Sequence, residues 1–194
     1  MSTSIKQAQK LIKSEKYNEA LELLQNLEGH TYQSHLFLAL VYERLENFKS
    51  QFQALKLAVN SLEGTPIENC EKQKLAAYKG VCKVFPKIEK INDVEDLRLF
   101  LESFKSINTD LLASQETVYN LVEKAVSGNI RFESIPVFLE YGFTQEVLAK
   151  TGFYKDIPLN VVFDETIEMG KNSGMKCKIK NKVLGELLYS RLAK

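Results

Sequence analysis

Tryptophan is absent from this chain of 194 residues, and the scarce residue types are as telling as the common ones. Two histidines, His30 and His35, are all the imidazole available, and no carboxylate pattern of metal-ligand type accompanies them. A surface or packing role is therefore expected for both rather than a catalytic one. Cys70, Cys82 and Cys177 are odd in number, widely spaced and free of any C-x-x-C, which argues against a disulfide framework or a zinc site and fits a reducing compartment. With 9 glycines, no phosphate-cradling loop is present, and no nucleotide, zinc-protease or serine-hydrolase signature occurs. No apolar run is long enough to cross a membrane, and the N-terminus lacks the apolar stretch of a secretory signal. These shortages point away from an enzyme, and no cofactor or metal is expected.

What is present is a soluble helical composition, 44% apolar and 26% charged, with a formal net charge of +1. No global field draws nucleic acid or membrane to such a chain. The charge is uneven, however: Lys171, Lys176, Lys178, Lys180, Lys182, Arg191 and Lys194 face Glu186 alone at the C-terminal end.

The apolar residues repeat. After Tyr17 they fall at Leu21, Leu23, Leu24 and Leu27; after Phe48 they fall at the same offsets, at Phe52, Ala54, Leu55 and Ala58, a period of 31 residues. Upstream, Ala8 and Leu11 are followed at the same period by Ala39 and Tyr42. The pattern predicts two amphipathic helices per unit, with small residues where helices cross closely. Gly64 and Pro66 predict a break, read as a long connection through EGTPIENCEK, before a third helical segment from Lys72 to Phe85 that Pro86 ends or kinks. A partner helix begins near Asn92 or Asp93, with Asn92 and Glu95 at capping-box spacing, and runs to Phe104. Further helices are expected from Ser114 to the stop at Gly128, and at Glu133–Tyr141, Thr144–Thr151, Leu159–Met169 and Asn181–Ala193.

This spacing resembles the tetratricopeptide repeat, an all-α helix-turn-helix unit that stacks into an α-solenoid. The resemblance assigns a repeat core to Ala8, Leu11, Tyr17, Ala20, Leu24, Ala39, Tyr42, Phe48, Leu55, Ala58, Tyr78 and Gly80; Gln51 stands where the motif usually has Ala. It places residues 1–105 in repeats and 106–169 in a degenerate helical segment continuing or packing on them. A basic linker at 170–180 and a C-terminal helix at 181–194 follow. In such an array the first helix of each pair lines a groove, whose candidate partner-binding residues are Gln9, Lys13, Leu36, Leu40, Arg44, Lys79 and Lys83. Lys79, Lys83 and Lys87 fall at helical spacing and form one stripe as far as the helix continues past Pro86; with Lys13, Arg44, Lys79 and Lys83 the groove is mildly basic and suited to an acidic peptide or a phosphate backbone, and the plain alternative is a solvated helix face. Ile5, Gln9 and Phe37 occupy the places where co-chaperone repeats carry a Lys/Asn carboxylate clamp, so that specialisation is missing.

Three segments, SIKQAQKLIKSEKYNEAL, SHLFLALVYERLENF and LAAYKGVCKVF, resemble the N-terminal arm of the tetratricopeptide scaffold subunit of the superkiller complex, with Tyr78 where that family usually has Trp. The resemblance implies a cytoplasmic, non-enzymatic scaffold that meets helicase and WD-repeat subunits and an exosome-bridging factor in 3′-to-5′ mRNA decay. A generic peptide-binding adaptor and a direct RNA-binding helical protein, using the lysine-rich face and tail, are the alternative readings.

Overall fold

The computed structural model describes residues 3–64, 67–91 and 93–108, and then 117–118, 121–122, 125–126, 134, 137–138 and 140–143. Among them the secondary structure is entirely helical: α1 (Thr3–Lys13), α2 (Tyr17–Gln25), α3 (Tyr32–Arg44), α4 (Phe48–Asn60), α5 (Ile67–Val84) and α6 (Val94–Ile107), with a 3₁₀ turn at Phe85–Lys87. None of these helices is long and apolar enough to cross a membrane. Two compact units divide the chain, Met1–Leu111 and Leu112–Lys194.

In the first unit each helix packs on the next in chain order, and α1 also touches α3. The connections from α1 to α2 and from α3 to α4 are the same turn made twice. After α1 the Lys16 N–H donates to the Leu11 carbonyl at 3.0 Å and the Glu15 N–H to the Ile12 carbonyl at 3.1 Å; after α3 Asn47 donates to Tyr42 at 2.9 Å and Glu46 to Glu43 at 3.2 Å. This is the Schellman pattern, which satisfies carbonyls that have no partner inside the helix. It needs a left-handed residue, and Glu15 (φ 60°) and Glu46 (φ 55°) supply it, 31 positions apart. Glycine would adopt that conformation without steric cost, so both glutamates hold the backbone against a preference of their own.

Caps set the helix starts. The Thr31 hydroxyl accepts from the Ser34 N–H at 3.4 Å while the Ser34 hydroxyl accepts from the Thr31 N–H at 2.8 Å, a reciprocal box at the head of α3. Asn47 caps α4 by accepting from Ser50 N–H at 3.1 Å. The cap of α6 is Asp93, whose carboxylate accepts from Glu95 N–H at 3.0 Å; Asn92, the other sequence candidate, lies outside the described residues.

Helix α5 begins at Ile67, five residues before the expected Lys72, so the connection from α4 is short rather than long. The additional turn carries Cys70, which is buried, and a proline directly before a helix costs it nothing because first-turn N–H groups have no intrahelical acceptor. Pro86 converts the far end of the helix into the 3₁₀ turn.

The core of the first unit has two kinds of packing. Ala8, Ala20 and Ala58 are fully buried and Ala39 nearly so, leaving no side chain to hold helices apart. Gly80 works the same way: a Cβ there would meet Leu55 Cδ2 at 2.9 Å. Toward α6 the filling is aromatic. Phe85 stacks on Phe100 with centroids 4.2 Å apart, and Phe52 meets the Phe85 ring edge-on at 5.8 Å.

In the second unit the described residues include buried Val118, Val122, Ala125, Val126, Val137 and Phe138. The Phe143 N–H donates to the Phe138 carbonyl at 3.0 Å around Gly142 (φ 86°), the same helix ending made with glycine. Leu121 there is half-buried. Ser114, Gly128, the segments Thr144–Thr151 and Leu159–Met169, the basic linker and the C-terminal helix lie outside the described residues.

Candidate protein-interaction surface

The sequence-predicted groove residues sit on α1, α3 and α5. Lys13, Arg44, Lys79 and Lys83 are exposed; Gln9, Leu36 and Leu40 are half-buried. Helices α3 and α5 meet directly: the Tyr32 hydroxyl donates to the Gln73 carbonyl at 2.7 Å, and Lys83 Nζ pairs with Glu43 Oε1 at 2.6 Å. That ion pair matters for the basic stripe, because it spends Lys83 on the protein itself. Lys87 leaves the stripe altogether: it lies in the 3₁₀ turn with its ammonium 4.6 Å from the centre of the Phe48 ring. The face is less basic than its lysines suggest.

Of the assigned repeat-core residues, Ala8, Ala20, Leu24, Ala39, Leu55, Ala58 and Tyr78 are buried, while Leu11, Tyr17, Tyr42, Phe48 and Gly80 are half-buried. Gln51, the departure from Ala, is buried as well.

A cleft that sequence reasoning missed opens between α4, α5 and α6, with a volume of about 980 Å³. Val59, Leu62, Cys70, Leu75 and Leu99 give it an apolar lining. Lys56 ties α4 to α6 across it, with Nζ 2.6 Å from Asp96 Oδ1 and 3.6 Å from Asp93 Oδ2. Burial pulls the Lys56 ammonium down, but the hydrogen bond and charge of Asp96, helped by Asp93, outweigh it and hold it above its ordinary value. Further along, Glu102 accepts from the Tyr78 hydroxyl and pairs with Lys74 at 3.3 Å, and Arg98 pairs with Glu95 at 3.3 Å. Local pairs such as Glu95 with Arg98 do not reveal this cleft; the contacts that tie its walls together join residues 24 to 40 apart in sequence.

A smaller hollow of about 420 Å³ lies among α2, α3 and α4. The His35 ring lies against it and stacks on His30 with centroids 5.2 Å apart and planes 17° from parallel. Burial, then the neighbouring His30, hold His35 below its ordinary value, and its Nδ1 has no hydrogen-bond partner. Among the described residues no three His, Cys, Asp or Glu side chains gather as a metal site would require. Burial pushes the Cys82 thiol up to about 11, which keeps it protonated and unreactive at neutral pH. Comparison with known proteins finds no match to any family model, any curated protein or any solved structure.

Proposed function

We propose that this chain is a non-enzymatic interaction scaffold built on tetratricopeptide-type repeats, and that it serves as the regulatory arm of a superkiller-type assembly assisting the cytoplasmic exosome in mRNA decay. The observation that carries the repeat reading is the paired turn. The same hydrogen bonds and the same left-handed glutamate recur 31 residues apart, at the offset of the apolar pattern. Helices joined by identical turns and packed in chain order give a stiff surface whose stability is close to a sum of neighbour contacts. Such a surface binds a segment of another protein with no chemistry of its own. The superkiller reading rests on the three sequence segments that resemble that family. Direct RNA binding is the weaker reading, since Lys83 is paired with Glu43 and a phosphate backbone is held by uncommitted cations.

The test is affinity capture of the chain from a cell extract, with and without nuclease, read by mass spectrometry. Recovery of superkiller helicase and WD-repeat subunits that survives nuclease is the expected result. Recovery of unrelated proteins alone rejects the superkiller assignment, and loss of every partner on nuclease treatment rejects the protein-scaffold reading in favour of RNA.

A further inference from the structure

We infer that the cleft between α4, α5 and α6 is the seat of a basic amphipathic peptide segment, one that carries lysine or arginine beside an apolar stripe. The inference rests on the scaffold reading and reverses the charge that the lysines of α5 suggested for the partner.

The lining chooses the partner. Three cations, Lys56, Lys74 and Arg98, stand against five carboxylates, Glu63, Glu71, Asp93, Glu95 and Glu102. Each cation is already held by a carboxylate: Lys56 by Asp96 and Asp93, Lys74 by Glu102, and Arg98 by Glu95. Glu63 and Glu71, both exposed, remain without an ion pair among the described residues. Glu63 lies in the connection from α4 to α5 and Glu71 in α5 itself. An acidic segment entering the cleft meets two uncompensated negative charges and no uncommitted positive one; a basic segment finds in the same two carboxylates partners for its own charges.

The lining also says how the segment is held. Exposed ion pairs contribute little affinity and mostly set orientation and partner choice. The apolar lining of Val59, Leu62, Leu75 and Leu99 is where a ligand gains by leaving water. Helix α4 gives this wall one turn, from Lys56 to Asn60, a rise of roughly 6 Å, and Leu62 and Glu63 lie just past its end. Apolar residues spaced one turn apart on the ligand therefore reach the lining while the lysines flanking them reach Glu63 and Glu71. The Lys56 bridge from α4 to α6 stands at one end of this wall, and the Glu63 end carries the unpaired charge.

The experiment uses the full chain and a fluorescent synthetic helical peptide with leucines on one face and lysines beside them. Its counterparts replace lysine by glutamate, or scramble the order at constant charge. Fluorescence anisotropy is expected to show the lysine peptide binding about tenfold or more tighter than either counterpart. The Glu63→Lys plus Glu71→Lys variant, at two exposed positions, is expected to lose about tenfold in affinity while its helical circular dichroism stays the same. Lys10→Glu, exposed on α1 and outside the cleft lining, is expected to change nothing. Equal binding of the glutamate or the scrambled peptide overturns the inference, and so does a double variant that binds the lysine peptide as before. A dimer in sedimentation that the double variant abolishes reassigns the cleft to a second copy of the chain. Failure of every peptide while nuclease-resistant capture persists rejects this seat alone; peptide binding without capture of superkiller proteins rejects the family assignment alone.

Discussion

Helices α1 to α4 and helices α5 and α6 are joined in two different ways. In the first group two of the three connections, α1–α2 and α3–α4, each close on a left-handed glutamate inside a Schellman turn, and the helices cross on alanines. In the second, a 3₁₀ turn at Phe85–Lys87 and a longer connection separate α5 from α6. There the relative position of the helices is held by Phe85 stacked on Phe100 and by the Lys56 bridge to Asp96. A tight turn fixes the angle between two helices from its own backbone. A long connection leaves that angle to whatever the side chains find across it, and so it is also where a cleft opens.

That contrast can be broken or sharpened by substitution. The largest effect is expected from Ala39→Glu, which buries a charge at a crossing with no room or partner for it. A loss above about 4 kcal/mol, seen as failure of the first unit to unfold cooperatively in urea, is expected. Near-normal stability would remove the close crossing from the account. Next comes Phe100→Ala, which empties the aromatic stack. A loss of about 3 to 5 kcal/mol in the same measurement is expected, and a loss under about 1 kcal/mol would mean that the stack does not hold α5 to α6.

Smaller and of opposite sign is Glu46→Gly. It relieves the left-handed backbone and should stabilise the chain by up to about 1 kcal/mol; Glu15→Gly should do likewise, and the two should add. The reverse change at the glycine version of this turn, Gly142→Glu, should destabilise. If the glutamate-to-glycine changes are destabilising instead, the two glutamates make contacts that outweigh their strain.

The last prediction concerns pH. His35 is held below 6.5 in the folded chain, so the unfolded chain binds the proton first as pH falls. Its contribution to stability is therefore full above 6.5 and lost progressively below it, which thermal melts between neutral and mildly acid pH will read. His35→Gln should flatten that slope.

The helical character of α1 to α6 was legible because helix formation follows local spacing. Tyr17, Phe48 and the apolar residues behind them mark the starts of α2 and α4 to the residue. The break at Pro86 was legible for the same reason, since proline acts on its own turn. The start of α5 was missed because Gly64 and Pro66 look like a loop, whereas the burial of Cys70 four residues past Pro66 goes with a helix that begins early. The left-handed glutamates were missed because nothing about glutamate announces a positive φ.

The candidate surface divides along the same line. By itself the sequence determined the helical spacing behind Tyr17 and Phe48, the stop at Pro86 and which residues are small enough for close crossings, because each depends on neighbours within a turn or two. Only the tertiary structure decided that Lys83 belongs to Glu43, that Lys56 ties α4 to α6, and that a cleft with two unpaired carboxylates lies between α4, α5 and α6. Those facts join residues about forty positions apart, and a charge acquires its meaning from what stands within a few ångströms of it in space rather than along the chain.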